Sequence, residues 1–285
     1  MPGDAAEEPG GTGTLFVCAV PIGNLEDASP RLRRVLGEVD VVACEDTRTT
    51  RRLLDLLGVD PVPRLLAYHE HNERASAAGI VALLEQGQDV ALVSDAGTPS
   101  VSDPGAELVQ AAHAAGTRVE SVAGPSAVAA AVGAAGARGD GYRFVGFLPR
   151  VEGELRTVIV RHATDVLVAF ESPHRLGRTL ALIAQEQPER AVTVCRELTK
   201  RHEEVARGVA ADLADRFAED VKGEVVLVLD ALAPSRAAGL DPRAVGLVEA
   251  MATAGVRRKD ATRIVAEHLG GSARELYDAT HDAGS

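Results

Sequence analysis

The sequence predicts an α/β protein of two α/β domains with a small helical appendage at its C-terminal end, and three observations carry that reading. Short apolar runs alternate with helical patterns from residue 14 to about 136, the order that produces βαβ units and a mostly parallel sheet. The stretch AAGARGDGY, residues 134–142, is small, Gly-rich and aperiodic, and it reads as a linker. A second cycle of strands and helices then runs over 137–232, and beyond it the tail, 233–285, carries no strand signal. A chain of 285 residues is long for a single core, which stops growing near roughly 250 to 300 residues.

In the first cycle the strands are TLFVCAV (14–20), VDVVAC (39–44), RLLAYH (64–69), DVALVS (89–94) and RVESV (118–122). Ser29 and Pro30 fit the N-cap and first helical position before RLRRVLGEV. Asp46 or Thr47 opens the helix TRTTRRLLDLLG, which Gly58 can close. In the second cycle YRFVGFL (142–148), DVLVAF (165–170), RAVTVC (190–195) and EVVLVLD (224–230) read as strands, with helices around 154–162, 173–187 and 209–218. The polar connection RELTKRHEEVARG (196–208) has room for an antiparallel strand or hairpin, which would make this sheet mixed. The tail reads as two or three short helices, one opened by the capping box Ser272-Ala-Arg-Glu275.

Composition narrows the class. No apolar run approaches the roughly 18 residues needed to cross a bilayer, and the acidic, Gly- and Pro-rich start MPGDAAEEPGGTG lacks the features of a signal peptide, so residues 1–13 read as a disordered lead-in to a cytosolic chain. Cys18, Cys44 and Cys195 each sit in an apolar strand run and read as core residues. The net charge of −12 argues against a basic nucleic-acid coat, although affinity for phosphates also depends on local patches.

In an open α/β sheet, ligands settle beyond the carboxyl ends of the strands, so the loops that follow strands hold the candidates. The first is PIGN (21–24), where Gly23 permits close backbone approach; no GxGxxG or GxxxxGK[ST] accompanies it, which counts against NAD enzymes and P-loop NTPases. The second is CEDTRTT (44–50), with Glu45, Asp46 and Arg48 at a strand end. The third is VSDAGTPSVSDPG (93–105), the densest punctuation in the chain. Helix capping accounts for Asp103, Pro104 and Gly105 there, but not for Asp95, Gly97, Thr98, Pro99 and Ser102. AGPSA (123–127) leads into a helix of small residues. FVGFLPR (144–150), FESPHR (170–175) and CRELTKRHEE (195–204) complete the set, with Ser172 and Pro173 reading as a helix start that leaves Glu171, His174 and Arg175 unexplained. His69 and His71 would present same-side imidazoles without a third ligand, so no metal is expected.

VPIGN, CEDTR, SDAGTPSVSDPG, GPSA, FVGFLPR, ESPHR and RELTK, in this order, resemble the ribosomal small subunit methyltransferase I (RsmI) family of the tetrapyrrole-methylase-like, class III S-adenosylmethionine (SAM)-dependent methyltransferases. The resemblance covers roughly residues 14–232 and extends to the tail; PIGN departs from the GxGxGD loop of the porphyrin-methylating relatives. It implies a homodimer of two α/β domains of the tetrapyrrole methylase type, a cleft between them that takes SAM, and 2′-O-methylation of a cytidine in the decoding region of 16S rRNA within the small ribosomal subunit. Carried over by motif, Pro21, Ile22, Gly23, Asp95, Gly97, Thr98, Ser126 and Ala127 would line the SAM pocket, and Gly146 and Gly223 would close it from the second domain.

A ribose hydroxyl is a weak acid, so a group that accepts its proton is expected; Lys200, Glu171 and His174 are the candidates, with Glu45 or Asp46 behind them. RNA contact is assigned to local charge: Arg48, Arg51 and Arg52 on the second helix, beside Arg31, Arg33 and Arg34 on the first, and Arg257, Arg258 and Lys259 in the tail. Two other functions stay open at this point, a class III methyltransferase acting on a small molecule or a modified protein residue, and a non-catalytic ribosome-binding protein.

Overall fold

The computed structural model describes residues 11–69, 73–137, 139, 141–219, 221–232, 242–269 and 271–281. The start of the lead-in, His71 and much of the tail's linker therefore lie outside the described residues. The chain forms two compact units, residues 1–231 and 232–285.

The first cycle is β1 (Thr14–Cys18), α1 (Pro30–Glu38), β2 (Val41–Cys44), α2 (Thr47–Leu57), β3 (Arg64–Ala67), α3 (Glu73–Glu85), β4 (Val90–Val93), α4 (Ala106–Ala114), β5 (Arg118–Val122) and α5 (Ala127–Ala135). Its five strands pair in the order β3-β2-β4-β1-β5, every pairing parallel. β2 and β4 are buried along their whole length, which is why they read as unbroken apolar runs, VVAC and VALV. Leu32, Val35, Leu36, Leu54 and Leu57 of α1 and α2 cover one face. Ile80, Leu84, Leu108 and Ala112 of α3 and α4 cover the other. The cap signals behave as read: Ser29 Oγ accepts from the Leu32 amide at 3.0 Å, and Gly58 closes α2 at φ 70°.

This strand order creates the site. The connections after the neighbouring strands β1 and β4 leave in opposite directions and to opposite faces, so a crevice opens between their carboxyl ends.

The second cycle is β6 (Tyr142–Phe147), α6 (Glu152–Arg161), β7 (Val166–Glu171), α7 (Leu176–Glu186), β8 (Ala191–Arg196), β9 (Glu204–Val209), α8 (Ala210–Arg216) and β10 (Val225–Leu229). The order is β6-β7-β10-β8-β9, with β6 and β7 parallel and the other pairs antiparallel. The sheet is thus mixed, and the polar connection supplies β9. One face packs against α6, α7 and α8 through residues such as Ile159, Leu180, Ile183 and Leu213. The other face is covered by α5, whose Val128, Ala131 and Ala135 meet Val166, Val168, Cys195, Val226 and Val228. Helix α5 follows the first five strands in sequence but packs on the second sheet.

Two local readings need correction. Ser172 makes no side-chain cap bond; Pro173–Arg175 form a 3-10 turn and α7 starts only at Leu176. Asp103 and Pro104 do not start α4. The cap position is Gly105, and the free amides of the first turn are met from elsewhere in the fold: Glu73 Oε1 accepts from Gly105 N at 2.7 Å and Tyr68 Oη accepts from Leu108 N at 3.1 Å. A long-range cap has replaced the local one, and Asp103 is released from that task.

Arg190, fully buried, donates to the carbonyls of Asp230, His162 and Asp165 at 2.7 to 2.9 Å and to Gln187 Oε1 at 2.7 Å, which compensates its burial. Burial still pulls its pKa down to about 10. The second compact unit contains α9 (Pro242–Thr253), α10 (Arg258–Leu269) and α11 (Ala273–His281) around Val248, Ala261, Val265 and Leu276. Ser272 Oγ accepts from Glu275 N at 3.3 Å, as the capping box requires.

Candidate functional site

The loops after β1 and β4 are tied to each other by two backbone hydrogen bonds, Val20 N to Gly97 O at 2.8 Å and Gly97 N to Val20 O at 3.1 Å. The loop after β5 joins them through Thr98, whose hydroxyl donates to Pro125 O at 3.3 Å. Gly97 lies at φ 74°, in the left-handed region that a side chain disfavours, which holds backbone rather than side chain at the floor of the crevice. Opposite stand Phe147, Phe170 and the segment Gly223-Glu224-Val225 that enters β10.

These walls enclose a cavity of about 420 Å³, inside the range of about 300 to 1,000 Å³ usual for small-molecule sites. Ile22, Val101, Val128, Phe147 and Val226 make it largely apolar, and Thr98, Ser102, Asp103, Ser126 and Glu224 supply polar groups. A register shift in β6 between Phe144 and Phe147 brings Phe147 to the cavity while leaving it 64% exposed, and its ring meets Phe170 edge-on at 5.3 Å.

Six of the ten residues predicted for SAM lie in the cavity wall: Ile22, Gly97, Thr98, Ser126, Ala127 and Gly223. Pro21, Gly23, Asp95 and Gly146 do not. Gly23 lies beneath the Lys200 side chain, which leaves no room for a Cβ, and Gly146 faces Ser102. Asp95 is exposed, and its Oδ1 accepts from the Asp46 amide at 3.3 Å at the start of α2.

The predicted proton acceptors are placed against that role. The Glu171 side chain is fully buried; its Oε1 accepts from Ser172 N at 2.6 Å and from the Arg175 guanidinium, and its Oε2 from Thr179 Oγ1 at 2.5 Å. Arg175 in turn donates to Leu148 O at 2.8 Å and Pro149 O at 3.3 Å, so Glu171 fastens FVGFLPR to ESPHR. Lys200 Nζ bonds Glu197 at 2.8 Å and Glu224 at 2.9 Å; burial acts to lower its pKa, but these two carboxylates outweigh it and hold the ammonium above its usual value. An ammonium so held donates and does not accept. His174 is exposed on the 3-10 turn and is not part of the wall, while Glu45 and Asp46 lie half-buried at the end of β2.

Of the residues predicted for RNA, Arg48 turns back on its own Asp46 at 2.8 Å, and Arg51 stands 3.8 Å from Asp55. Arg52, Arg257 and Lys259 are exposed and Arg258 half-buried, the last three at the start of α10. Among the described residues no group of three or more His, Cys, Asp or Glu could hold a metal ion, and no helix is long and apolar enough to cross a membrane.

A parallel sheet facing a mixed sheet, with a cavity at the switch point, defines a class of methyltransferases: residues 14–214 match the Tetrapyrrole (Corrin/Porphyrin) Methylases. Solved structures with this fold include a diphthine synthase (TM-score 0.59, 14% identity, 76% of this chain and 89% of that one) and the methyltransferase CobJ (TM-score 0.58, 21% identity, 79% and 97%). Ribosomal RNA small subunit methyltransferase I of Neisseria meningitidis serogroup B is 40% identical over 271 residues, 93% of this chain and 92% of that protein. The protein of the same name from Pseudomonas aeruginosa is 49% identical over 171 residues, 59% of this chain and 60% of its own length. The chain belongs to the ribosomal RNA small subunit methyltransferase I family, within the tetrapyrrole methylases.

Proposed function

We propose that this protein transfers the methyl group of SAM to the ribose 2′-oxygen of a cytidine in the decoding region of 16S rRNA in the small ribosomal subunit, as a homodimer in the cytoplasm. The observation that carries the reading is the cavity at the β1/β4 switch point, walled on its far side by the second sheet. Its residues suit SAM: apolar surfaces at Ile22, Val128 and Val226 for the adenine, hydroxyls at Thr98 and Ser126 for the ribose and amino-acid groups, and side-chain-free backbone at Gly97 and Gly223. In this reading residues 14–136 and 137–232 are the two α/β domains, and 233–285 carries the RNA contact through Arg257, Arg258 and Lys259.

The chain's own contribution is placement. Methyl transfer from a sulfonium is an in-line displacement, and holding acceptor oxygen and methyl carbon in line removes entropy from the barrier, up to roughly 7 to 11 kcal/mol in well-oriented systems. Glu171 serves this by fixing the loop that carries Phe147 to the turn that carries Pro173. Lys200 serves it by binding Glu224 at the wall.

SAM binding measured by calorimetry, with transfer of a tritiated methyl group to undermethylated small subunits, tests the assignment. Binding together with label in 16S rRNA is the expected result. Label in a corrinoid and none in rRNA would instead establish a small-molecule enzyme on the fold shared with CobJ, and absence of SAM binding would overturn both.

A further inference from the structure

The chain has five phenylalanines and no tryptophan, and three of the five, Phe144, Phe147 and Phe170, gather where β6 meets β7 at the edge of the cavity. Phe144 and Phe170 are half-buried against the core, but Phe147 stays mostly open to solvent and forgoes the burial that usually draws such a ring inside. The backbone enforces this position. Between the pairs Phe144–Val168 and Phe147–Phe170, β6 advances three residues while β7 advances two, a bulge with Gly146 at a left-handed φ of 68°. Core packing gives no account of an outward Phe147, whereas a flat ligand laid on the ring does. We propose that Phe147 is the platform on which the base of the methylated nucleotide stacks, with Arg150 holding the RNA backbone beside it, an inference that rests on the proposed methyl transfer to RNA at this cavity.

The loop that carries both side chains is fixed in place. Leu148 is buried and its amide donates to Phe170 O at 3.0 Å, while Arg175 donates to the Leu148 and Pro149 carbonyls. The edge-on contact with Phe170 steadies the Phe147 ring without covering it. Ring and guanidinium are thus presented from a rigid frame, and little freedom is lost when a ligand settles on them.

Arg150 is exposed and has no ion-pair partner among the described residues, whereas its neighbours Arg175 and Arg178 are held by Glu171 and Glu152. It follows Phe147 by three residues, a span of at most about 11 Å. An open aromatic face beside an unpaired cation is the combination that binds unpaired RNA, base on ring and phosphate on charge. A nucleotide whose ribose enters the cavity leaves the stack of its neighbours, and the stacking it loses has to be replaced at the site. A ring at the cavity edge replaces it for any base, so it supplies affinity and placement while sequence is read elsewhere.

The test compares wild type with Phe147→Leu, which keeps apolar bulk but removes the flat ring, Phe147→Tyr, which keeps the ring, and Arg150→Gln. Because Phe147 is exposed, all are expected to melt with wild type and to bind SAM within about threefold of it by calorimetry. Phe147→Leu is expected to lose about 5- to 150-fold in kcat/KM for methyl transfer to undermethylated small subunits, and Phe147→Tyr to stay within about threefold of wild type. Arg150→Gln is expected to lower the salt slope of subunit binding by about one. Phe147→Leu with kcat/KM within about twofold of wild type, or Phe147→Tyr as impaired as Phe147→Leu, overturns the platform and leaves the methyltransferase reading standing. A fall in SAM affinity that matches the fall in transfer also overturns it, because the ring then belongs to the SAM wall. An unchanged salt slope strikes Arg150 from the contact. Wild type that binds SAM but leaves 16S rRNA unlabelled overturns the RNA reading and the platform with it.

Discussion

Replacing Glu171 by Gln separates a fastening role from a chemical one. The substitution keeps the shape but removes the charge from a fully buried side chain that accepts from Ser172 N, Thr179 Oγ1 and the Arg175 guanidinium. Breaking a buried ion pair from one side costs about 3 to 5 kcal/mol, and a single hydrogen bond to a charged group about 1.5 to 3 kcal/mol. The Arg175 side chain remains 27% exposed, so water partly compensates the orphaned guanidinium. That lowers the expected loss to about 2 to 4 kcal/mol. At about 2 to 4 °C per kcal/mol for a unit of this size, Tm should fall by roughly 4 to 16 °C. Circular dichroism melts give the Tm, and initial rates of methyl transfer at 20 °C, well below either transition, give the activity, expected within about tenfold of wild type. A variant that melts with wild type but turns over more than about 100-fold slower would show that Glu171 takes part in the chemistry, and the fastening argument would be refuted.

Gly97→Ala puts a Cβ in contact with Ile22 at a left-handed φ of 74°, a conformation costing about 1 to 2 kcal/mol; SAM affinity by calorimetry should drop about 5- to 30-fold, and unchanged affinity would remove Gly97 from the pocket floor. Cys18, pushed up to about 12 by burial, and Cys195, pushed up to about 11, should both resist a thiol reagent in the native protein and react on unfolding; rapid native labelling would contradict their core placement. Lys200→Met removes two ion pairs. Because the folded-state pKa of Lys200 is raised, the stability it supplies is complete at neutral pH and lost only as the pH climbs past its usual 10.5, so the gap in Tm between variant and wild type should close above that pH. Changing Arg257, Arg258 and Lys259 together to Gln should weaken binding to small subunits and reduce the salt slope by about 2 to 3, with SAM affinity unaltered; an unchanged slope would remove the tail from the RNA contact.

Much of this was legible wherever cause and consequence are neighbours in the chain. The unbroken apolar runs at 41–44 and 90–93 announce strands buried on both faces, and Ser29, Gly58 and Ser272 mark ends that depend only on the adjoining turn. Placing the ligand loops at strand ends followed from the parallel order, and six of ten predicted pocket residues came with it. The rest depends on the fold, through partners distant in sequence at Asp103 and Asp95 and through turns that bring nearer neighbours together at Glu171 and Lys200. Asp103 reads as a helix cap because nothing local shows that Glu73 and Tyr68 already cap α4 from about 30 to 40 residues away. Asp95 reads as a ligand carboxylate, and the sequence does not show that its Oδ1 also accepts from the Asp46 amide, 49 residues earlier. Glu171 and Lys200 read as reactive because the groups that occupy them, Thr179, Arg175, Glu197 and Glu224, are revealed only by the fold.

Helix α5 has a mechanical consequence. Its N-cap Ser126 and its first residues, Ala127 and Val128, line the cavity beside the first sheet's loops, while Val128, Ala131 and Ala135 are packed into the second sheet. The two sheets are therefore riveted through the wall of the site itself. A wide hinge opening would have to strip α5 from its bed and expose that apolar stripe to water, so traffic into the cavity falls to small loop movements around a rigid frame. For the same reason the chain cannot be cut into two working halves: a break before α5 severs the pocket, and a break after it leaves the helix without the surface it was shaped to cover.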